Sequence, residues 1–251
     1  MTIILTYIVG FSLLFLSAAP FLAFVATHLR GFSRGQTVIA AALFVYLVQH
    51  IGWISLQSLN ILHYNSWMLV TVLLTVLAAG GFALFRSVRL PAYRTAFCGL
   101  WRDARGLVKQ APRVTILLAI LLALIFARMA AFPEGMADAL SYHIMKAVMP
   151  LALPGWPAPV LQEYLLQDAV RAYPGFANML SAWWMGLPFG GMDNNEGGNF
   201  TTYLLGFVAL YTLSRRIGSD VTGGLLAGLV YLITPCVLNL GISGYVDLTA
   251  S

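Results

Sequence analysis

Long uninterrupted blocks of apolar residues constrain this chain more than any other feature of its sequence. Six such blocks, counted with their flanking residues, approach or exceed the ~20 residues that a helix needs to cross a bilayer. The strands of a membrane barrel would alternate apolar and polar residues, and these blocks do not. Since backbone groups in lipid must be hydrogen-bonded internally, the blocks indicate helices. We therefore predict an all-α integral membrane protein.

About six transmembrane helices are predicted, and the composition agrees with them. Only 9% of the 251 residues are charged and 60% are hydrophobic, whereas soluble domains carry roughly 25% charged residues. A soluble fold would have too few polar side chains to cover its surface. The predicted spans cover approximately residues 3–27, 37–59, 66–85, 114–131, 200–213 and 221–240.

The basic residues predict the orientation of these spans. Eleven of the fourteen Lys and Arg residues lie in three loops, at 28–36, 86–113 and 215–220, which six spans place on one side. An excess of Lys and Arg marks cytoplasmic loops. The net charge of +5 could suggest binding to nucleic acid. We reject this, because basic residues in short loops between apolar spans are typical of membrane proteins. The stretch 86–113 is interpreted as a polar loop in contact with anionic lipid.

The long segment at 132–199 is predicted to lie on the non-cytoplasmic side. Its amphipathic stretches are too short to span, so we expect juxtamembrane helices on the outer membrane face. Trp183 and Trp184 would then sit at the level of the lipid headgroups. A re-entrant or tilted hairpin limb at 174–190 is the alternative. Glu196, in a Gly- and Asn-rich turn, is interpreted as a loop residue.

Two acids at the outer ends of spans are candidates for chemistry. Asp138 can bind a metal ion, orient a phosphate-linked donor through it, or accept a proton from an acceptor hydroxyl. Asp247 follows the sixth predicted span on the same side. We expect the two carboxylates to approach within about 8 Å and share a hydrated cation. The alternatives are that Asp138 only caps a helix and that Asp247 is a solvated boundary residue.

Cations and polar side chains in the outer segment are candidates for binding a phosphate or a sugar. Lys146 and Arg171 supply the positive charge that a lipid phosphate requires. His143 and its neighbour Tyr142 are further candidates for substrate contact, although a structural hydrogen bond explains His143 equally well. Arg128, at the start of this segment, either serves the same purpose or extends its guanidinium to the membrane surface.

The order of features in the second half resembles the GT-C superfamily of membrane glycosyltransferases. The closest likeness is to its dolichyl- or undecaprenyl-phosphate-sugar branch, which includes protein mannosyltransferases and aminoarabinose transferases. The resemblance covers about residues 113–251. It rests on the span Arg113 to Arg128, Asp138-Ala-Leu-Ser-Tyr-His143, Tyr173-Pro174, Gly190-Gly-Met-Asp193, Leu210-Tyr-Thr-Leu-Ser-Arg215-Arg216-Ile-Gly218, Gly224-Leu-Leu-Ala-Gly-Leu, Thr234-Pro235 and Tyr245-Val246-Asp247.

This resemblance implies inverting transfer of a sugar from a polyprenyl-phosphate donor on the non-cytoplasmic face. It assigns the essential acid of the first outer loop to Asp138 and a supporting acid to Asp247, with a divalent cation, Mg or Mn, between them. It divides the chain into a three-span extension at 1–112 and a GT-C-like part at 113–251. Because family members continue through further spans, the chain resembles the N-terminal portion of such an enzyme or a shortened relative.

A second function class fits the same features. The shortened scaffold can serve as a non-catalytic accessory subunit that braces a larger membrane protein complex, with other membrane subunits as its partners. Under either hypothesis membrane lipids are partners and nucleic acid is not. The expected location is a bacterial inner (plasma) membrane, which the chain crosses several times.

Overall fold

The computed structural model describes residues 2–29, 31–58, 80, 82–83, 89–131, 183–184, 187 and 196–241. Every regular element within these residues is a helix, which confirms the all-α prediction for this part of the chain. The helices are α1 (Thr2–His28), α2 (Arg34–Ser58), α3 (Leu90–Gln110), α4 (Pro112–Ala131), α5 (Gly197–Arg216), α6 (Val221–Ile233) and α7 (Pro235–Gly241).

Two of these helices are long and apolar enough to cross a membrane. They are Ile4–His28 within α1 and Pro112–Met129 within α4, and a third candidate arises if α6 and α7 form one broken span. Helices α2 and α5 occupy positions where spans were predicted, with 25 and 20 residues. The predicted span at 66–85 falls mostly outside the described residues. The total of about six spans therefore stays a prediction.

Helix α3 corrects the interpretation of residues 86–113 as a loop. Pro91 lies in its first turn, where a missing backbone N–H costs nothing. Its less exposed side chains, Tyr93, Ala96, Leu100 and Leu107, recur at helical spacing. Helix α3 contacts α1, α4 and α6, and its arginines are exposed. The helical spacing was missed because the stretch is rich in charged residues and was interpreted from its composition. Partial burial raises the pKa of the Tyr93 hydroxyl.

A cluster of aromatic and aliphatic side chains forms the main core. It joins Tyr7 of α1, Met129 of α4, Phe200 and Tyr203 of α5 and Leu232 of α6. The cluster therefore combines residues from both predicted parts of the chain, although the boundary at 112 itself stays a prediction. A second, smaller cluster holds α1 against α2 through Phe21, Leu22, Ala41 and Val45.

The position of Trp183 and Trp184 differs from the prediction. Both indoles lie inside the main core, with 3% and 1% of their surface exposed, and not among lipid headgroups. The ring of Trp184 packs against Gly10 of α1 and Gly197 of α5, where a Cβ atom would overlap it. Small residues on two neighbouring helices thus create the space that a large aromatic ring fills.

A 72° bend separates α6 from α7 at Thr234 and Pro235. Pro235 has no N–H to donate to the carbonyl one turn earlier, so the regular hydrogen-bond ladder stops there. Tyr231 O, which loses its regular donor at Pro235, accepts from the backbone N–H of Thr234 at 3.2 Å. The Thr234 hydroxyl donates to Val230 O, and the Tyr203 hydroxyl donates to Leu232 O. Satisfying these groups inside the protein is what makes such a break tolerable within lipid.

Candidate functional site

The predicted site residues lie outside the described residues. They are Asp138, Tyr142, His143, Lys146, Arg171 and Asp247. Their roles and the distance of about 8 Å expected between the two carboxylates therefore stay predictions. The structure does describe the helices from which the two acid-bearing segments extend, and those helices define one end of the bundle.

The C-terminal ends of α4 and α7 both contribute side chains to the main core. Met129, in the last turn of α4, is buried in it, and Leu240, next to the end of α7, packs against it. Gly241 closes this contact, since a Cβ atom placed there would come within 2.6 Å of the Tyr203 ring. Asp138 follows the end of α4 by seven residues and Asp247 follows the end of α7 by six. We call this end of the bundle the α4–α7 end.

An ion pair between Arg128 and Glu196 lies at the α4–α7 end. The arginine Nη1 is 3.4 Å from Oε1 of the carboxylate. Glu196 has 0% of its side chain exposed, whereas Arg128 has 41% exposed. Glu196 lies in a turn, as the sequence predicts, but its burial and its pairing with Arg128 were not predicted. The sequence did contain a signal for the pair: a basic residue near the end of one predicted span and an acidic residue just before the next.

The local fold explains why Glu196 occupies this position. It directly precedes α5, and its carbonyl accepts a hydrogen bond from the N–H of Phe200. Its side chain makes no capping hydrogen bond, but the positive end of the helix dipole stabilises a carboxylate placed there. Arg128 offsets the remaining charge from α4. The pair thus ties the end of α4 to the start of α5, the two helices between which the predicted outer segment runs.

Basic residues collect at the opposite end of the bundle. Helix α5 has 20 residues and is therefore about 30 Å long, with Glu196 before its first turn and Arg215 and Arg216 in its last. A cavity of about 600 Å³ lies beside that last turn, lined by Arg34, Arg102 and Arg215 among others. The three loops that were predicted to share one side each contribute an arginine to it. We call it the arginine cavity.

Hydrogen bonds hold the walls of the arginine cavity together. Arg34, at the start of α2, forms an ion pair with Asp103 of α3 and donates to the carbonyl of Gly99. Arg215 donates to the carbonyl of Ser219 in the turn before α6, with an N···O distance of 2.5 Å. Asp220 caps α6 by accepting from the N–H of Gly223 at 2.7 Å. Charged groups therefore connect α2 to α3, and the end of α5 to the turn that leads into α6.

Within the part of the chain that the structure describes, no group of three His, Cys, Asp or Glu side chains is placed to hold a metal ion. The predicted ligands Asp138 and Asp247 fall outside it. Two carboxylates are suitable donors for Mg or Mn, since hard divalent cations prefer oxygen ligands.

Comparison with models of protein families finds no match to this sequence. Comparisons with curated proteins and with solved structures find no significant match either.

Proposed function

We propose that this chain is a GT-C-like membrane glycosyltransferase that transfers a sugar from a polyprenyl-phosphate donor on the non-cytoplasmic face. The observation that supports it best is that residues in the last turns of α4 and α7 pack in the same core. Because an extended residue spans at most ~3.6 Å, Asp138 lies within about 25 Å of the end of α4 and Asp247 within about 22 Å of the end of α7. Both acids can therefore reach one site at the α4–α7 end.

The proposed reaction uses the two acids in different roles. Asp138 accepts the proton of the acceptor hydroxyl or binds the cation, and Asp247 supports it. The acceptor oxygen forms a bond to the anomeric carbon of the sugar as the bond from that carbon to the phosphate oxygen breaks. The polyprenyl phosphate leaves with the electron pair. A divalent cation, when bound, neutralises charge on the phosphate, and Lys146, Arg171, His143 and Tyr142 contact the phosphate or the sugar.

The described residues contribute to this function by holding the α4–α7 end together. The buried Glu196 carboxylate, the Arg128 guanidinium and the packed ring of Trp184 join α1, α4 and α5. A rigid base of this kind favours catalysis, since displacement of reacting groups by about 1 Å can cost on the order of a hundredfold in rate.

The proposed orientation places the arginine cavity on the cytoplasmic side of a bacterial inner membrane. Arg34, Arg102 and Arg215 lie at this end, as the positive-inside rule requires. Cysteine labelling tests the orientation. Asp138→Cys and Asp247→Cys, each placed in a chain whose exposed Cys98 and Cys236 are changed to serine, should both react with an impermeant maleimide from outside the cell. Reaction of the two positions from opposite sides would overturn the shared site.

A sugar-transfer assay tests the chemistry. Asp138→Asn should reduce transfer from a polyprenyl-phosphate sugar by about a hundredfold or more, because loss of a general base typically costs 10²–10⁴-fold. Asp220→Asn is the matched control: it makes the same chemical change at the other end of the bundle, and asparagine also caps helices. Equal activity of both variants would remove Asp138 from the mechanism.

The same assay separates the enzyme from an accessory subunit. An accessory subunit would show no transfer when purified alone, and Asp138→Asn would leave the activity of a larger complex unchanged. In that case deletion of the whole chain, but not the substitution, would reduce the activity of the complex.

A further inference from the structure

The arginine cavity is lined by two chemically different kinds of residue. The charged part of the lining holds three arginines and one aspartate, an excess of two positive charges. Arg216 adds another in a neighbouring cavity of about 360 Å³ that shares Arg34, Asp103 and Arg215 with the first. The rest of the lining is largely apolar and includes Val38, Leu100, Leu107, Phe207, Val208 and Leu225. A matching ligand therefore carries an anionic group next to a hydrocarbon chain.

The arginines of the cavity differ in how far protein groups already use their charge and their hydrogen-bond donors. The charge of Arg34 is offset by Asp103, with which it forms an ion pair. Arg215 uses one nitrogen for the carbonyl of Ser219 and keeps further N–H donors, since a guanidinium has five. Arg102 is exposed at the rim. Arg102 and Arg215 are thus the cations placed to receive a phosphate oxygen, for which a planar guanidinium is well suited.

A buried hydroxyl lies in the neighbouring cavity beside Gly35, a residue that lines both cavities and so marks their junction. Thr212 lines the neighbouring cavity with only 9% of its surface exposed, and its oxygen has no hydrogen-bond partner among the described residues. The hydroxyl packs against Gly35, where a Cβ atom would overlap it. Buried polar groups are normally hydrogen-bonded. An acceptor oxygen or a water bound at this junction would satisfy the donor that Thr212 offers.

The surroundings favour a lipid over a soluble anion. Several exposed apolar side chains lie on the helices that form the cavity or in the turn after α5. They are Leu213, Ile217, Leu226 and Val230. Such residues are expected to face acyl chains in a membrane protein, which places the cavity where hydrocarbon meets the charged surface of the bilayer. The ~600 Å³ of space is within the range typical of small-molecule sites.

From this geometry we propose that the arginine cavity binds one anionic phospholipid from the adjacent leaflet. The phosphate lies between Arg102 and Arg215, and the first part of an acyl chain packs along Leu107 and Phe207. This site is separate from the proposed sugar-transfer site, which lies at the other end of α5. Its role would be to hold α3 against α5 and α6 through a bound lipid.

The test counts lipids bound to the purified full chain by native mass spectrometry. In micelles containing phosphatidylglycerol we expect one tightly retained lipid, and with phosphatidylcholine none. The double variant Arg102→Gln/Arg215→Gln should weaken retention by about 30-fold, since a cation near a lipid surface contributes about fivefold. The control Arg89→Gln/Arg94→Gln removes the same charge from exposed positions of α3 outside the cavity and should change retention less than about threefold.

A second variant removes space and keeps every charge. Gly106 lines the cavity, and a Cβ atom there would meet only Gln110, at 3.8 Å. Gly106→Phe should fill the cavity and displace the lipid, while α3 remains intact because glycine is an unfavourable residue inside a helix. Retained helicity together with lost lipid supports the proposal even if the arginine variants fail to fold.

Three results would overturn the proposal. Equal loss in the cavity and control pairs would indicate a diffuse attraction of lipid to α3. Full retention by Gly106→Phe would place the lipid elsewhere. Displacement of the lipid by millimolar inorganic phosphate would show that the site selects the phosphate alone and makes no use of its apolar lining.

Discussion

The Arg128–Glu196 ion pair should stabilise the bundle chiefly because it neutralises a carboxylate that the fold buries. Arg128→Gln leaves Glu196 in place with 0% of its side chain exposed. Loss of one partner from a fully buried ion pair costs about 3–5 kcal/mol. Because 41% of Arg128 is exposed, water already screens part of its charge. We therefore expect the free energy of unfolding to fall by about 2 kcal/mol.

The double variant provides the sharper comparison. Glu196→Gln removes the charge that requires neutralisation and should cost about 1 kcal/mol, the net value of a hydrogen bond. Arg128→Gln/Glu196→Gln should then be more stable than Arg128→Gln alone, with a coupling energy of about 1–2 kcal/mol. The specific expectation is that Arg128→Gln has a lower free energy of unfolding than the double variant.

Unfolding in mixed micelles with increasing dodecyl sulfate, followed by far-ultraviolet circular dichroism, measures these differences. Arg94→Gln, an exposed arginine of α3, is the control and should stay within about 0.5 kcal/mol of the wild type. If the destabilisation of the double variant equals the sum of the two single values, the residues act independently. The account of a buried carboxylate stabilised by the Arg128 guanidinium would then be wrong.

Three further substitutions test local packing and hydrogen bonds by the same unfolding measurement. Gly197→Ala places a methyl group against the ring of Trp184 and should cost about 1–3 kcal/mol, whereas a neutral result would mean that the ring shifts freely. Tyr203→Phe removes the donor to Leu232 O and should cost about 1 kcal/mol; unchanged stability would show that another donor replaces it. Asp220→Ala should cost about 1 kcal/mol while Asp220→Asn remains near wild type, and equal loss in both would exclude a capping role.

Hydrophobic length predicts the first and fourth spans closely. The predicted ranges 3–27 and 114–131 correspond to α1 (Thr2–His28) and α4 (Pro112–Ala131). The agreement has a physical reason: hydrocarbon thickness sets the length of an apolar helix, and both helices are apolar on every side. The sixth predicted span was less accurate, because the hydropathy of 221–240 continues through Pro235, where the structure bends.

Features that depend on distant partners were not predictable in the same way. Arg128 and Glu196 are 68 residues apart, and their pairing depends on how α4 and α5 pack. Trp184 was predicted at the headgroups because tryptophan is common there. Its position depends instead on Gly10 and Gly197, which are 174 and 13 positions away in the sequence. The proximity of Arg34, Arg102 and Arg215 was foreseen only as a shared side. The cavity between them arises from helix packing.

We expect the bend at Pro235 to reach its final angle only after the segment at 221–241 has been inserted into the membrane. Insertion selects segments by hydrophobicity, and residues 221–241 carry no charged side chain. Helix α6 alone is about 20 Å long, shorter than the ~30 Å hydrocarbon layer. The segment is therefore expected to enter lipid as one apolar unit. It would acquire its full angle when α5 docks and the Tyr203 hydroxyl reaches the exposed carbonyl, a step that belongs to assembly within the bilayer.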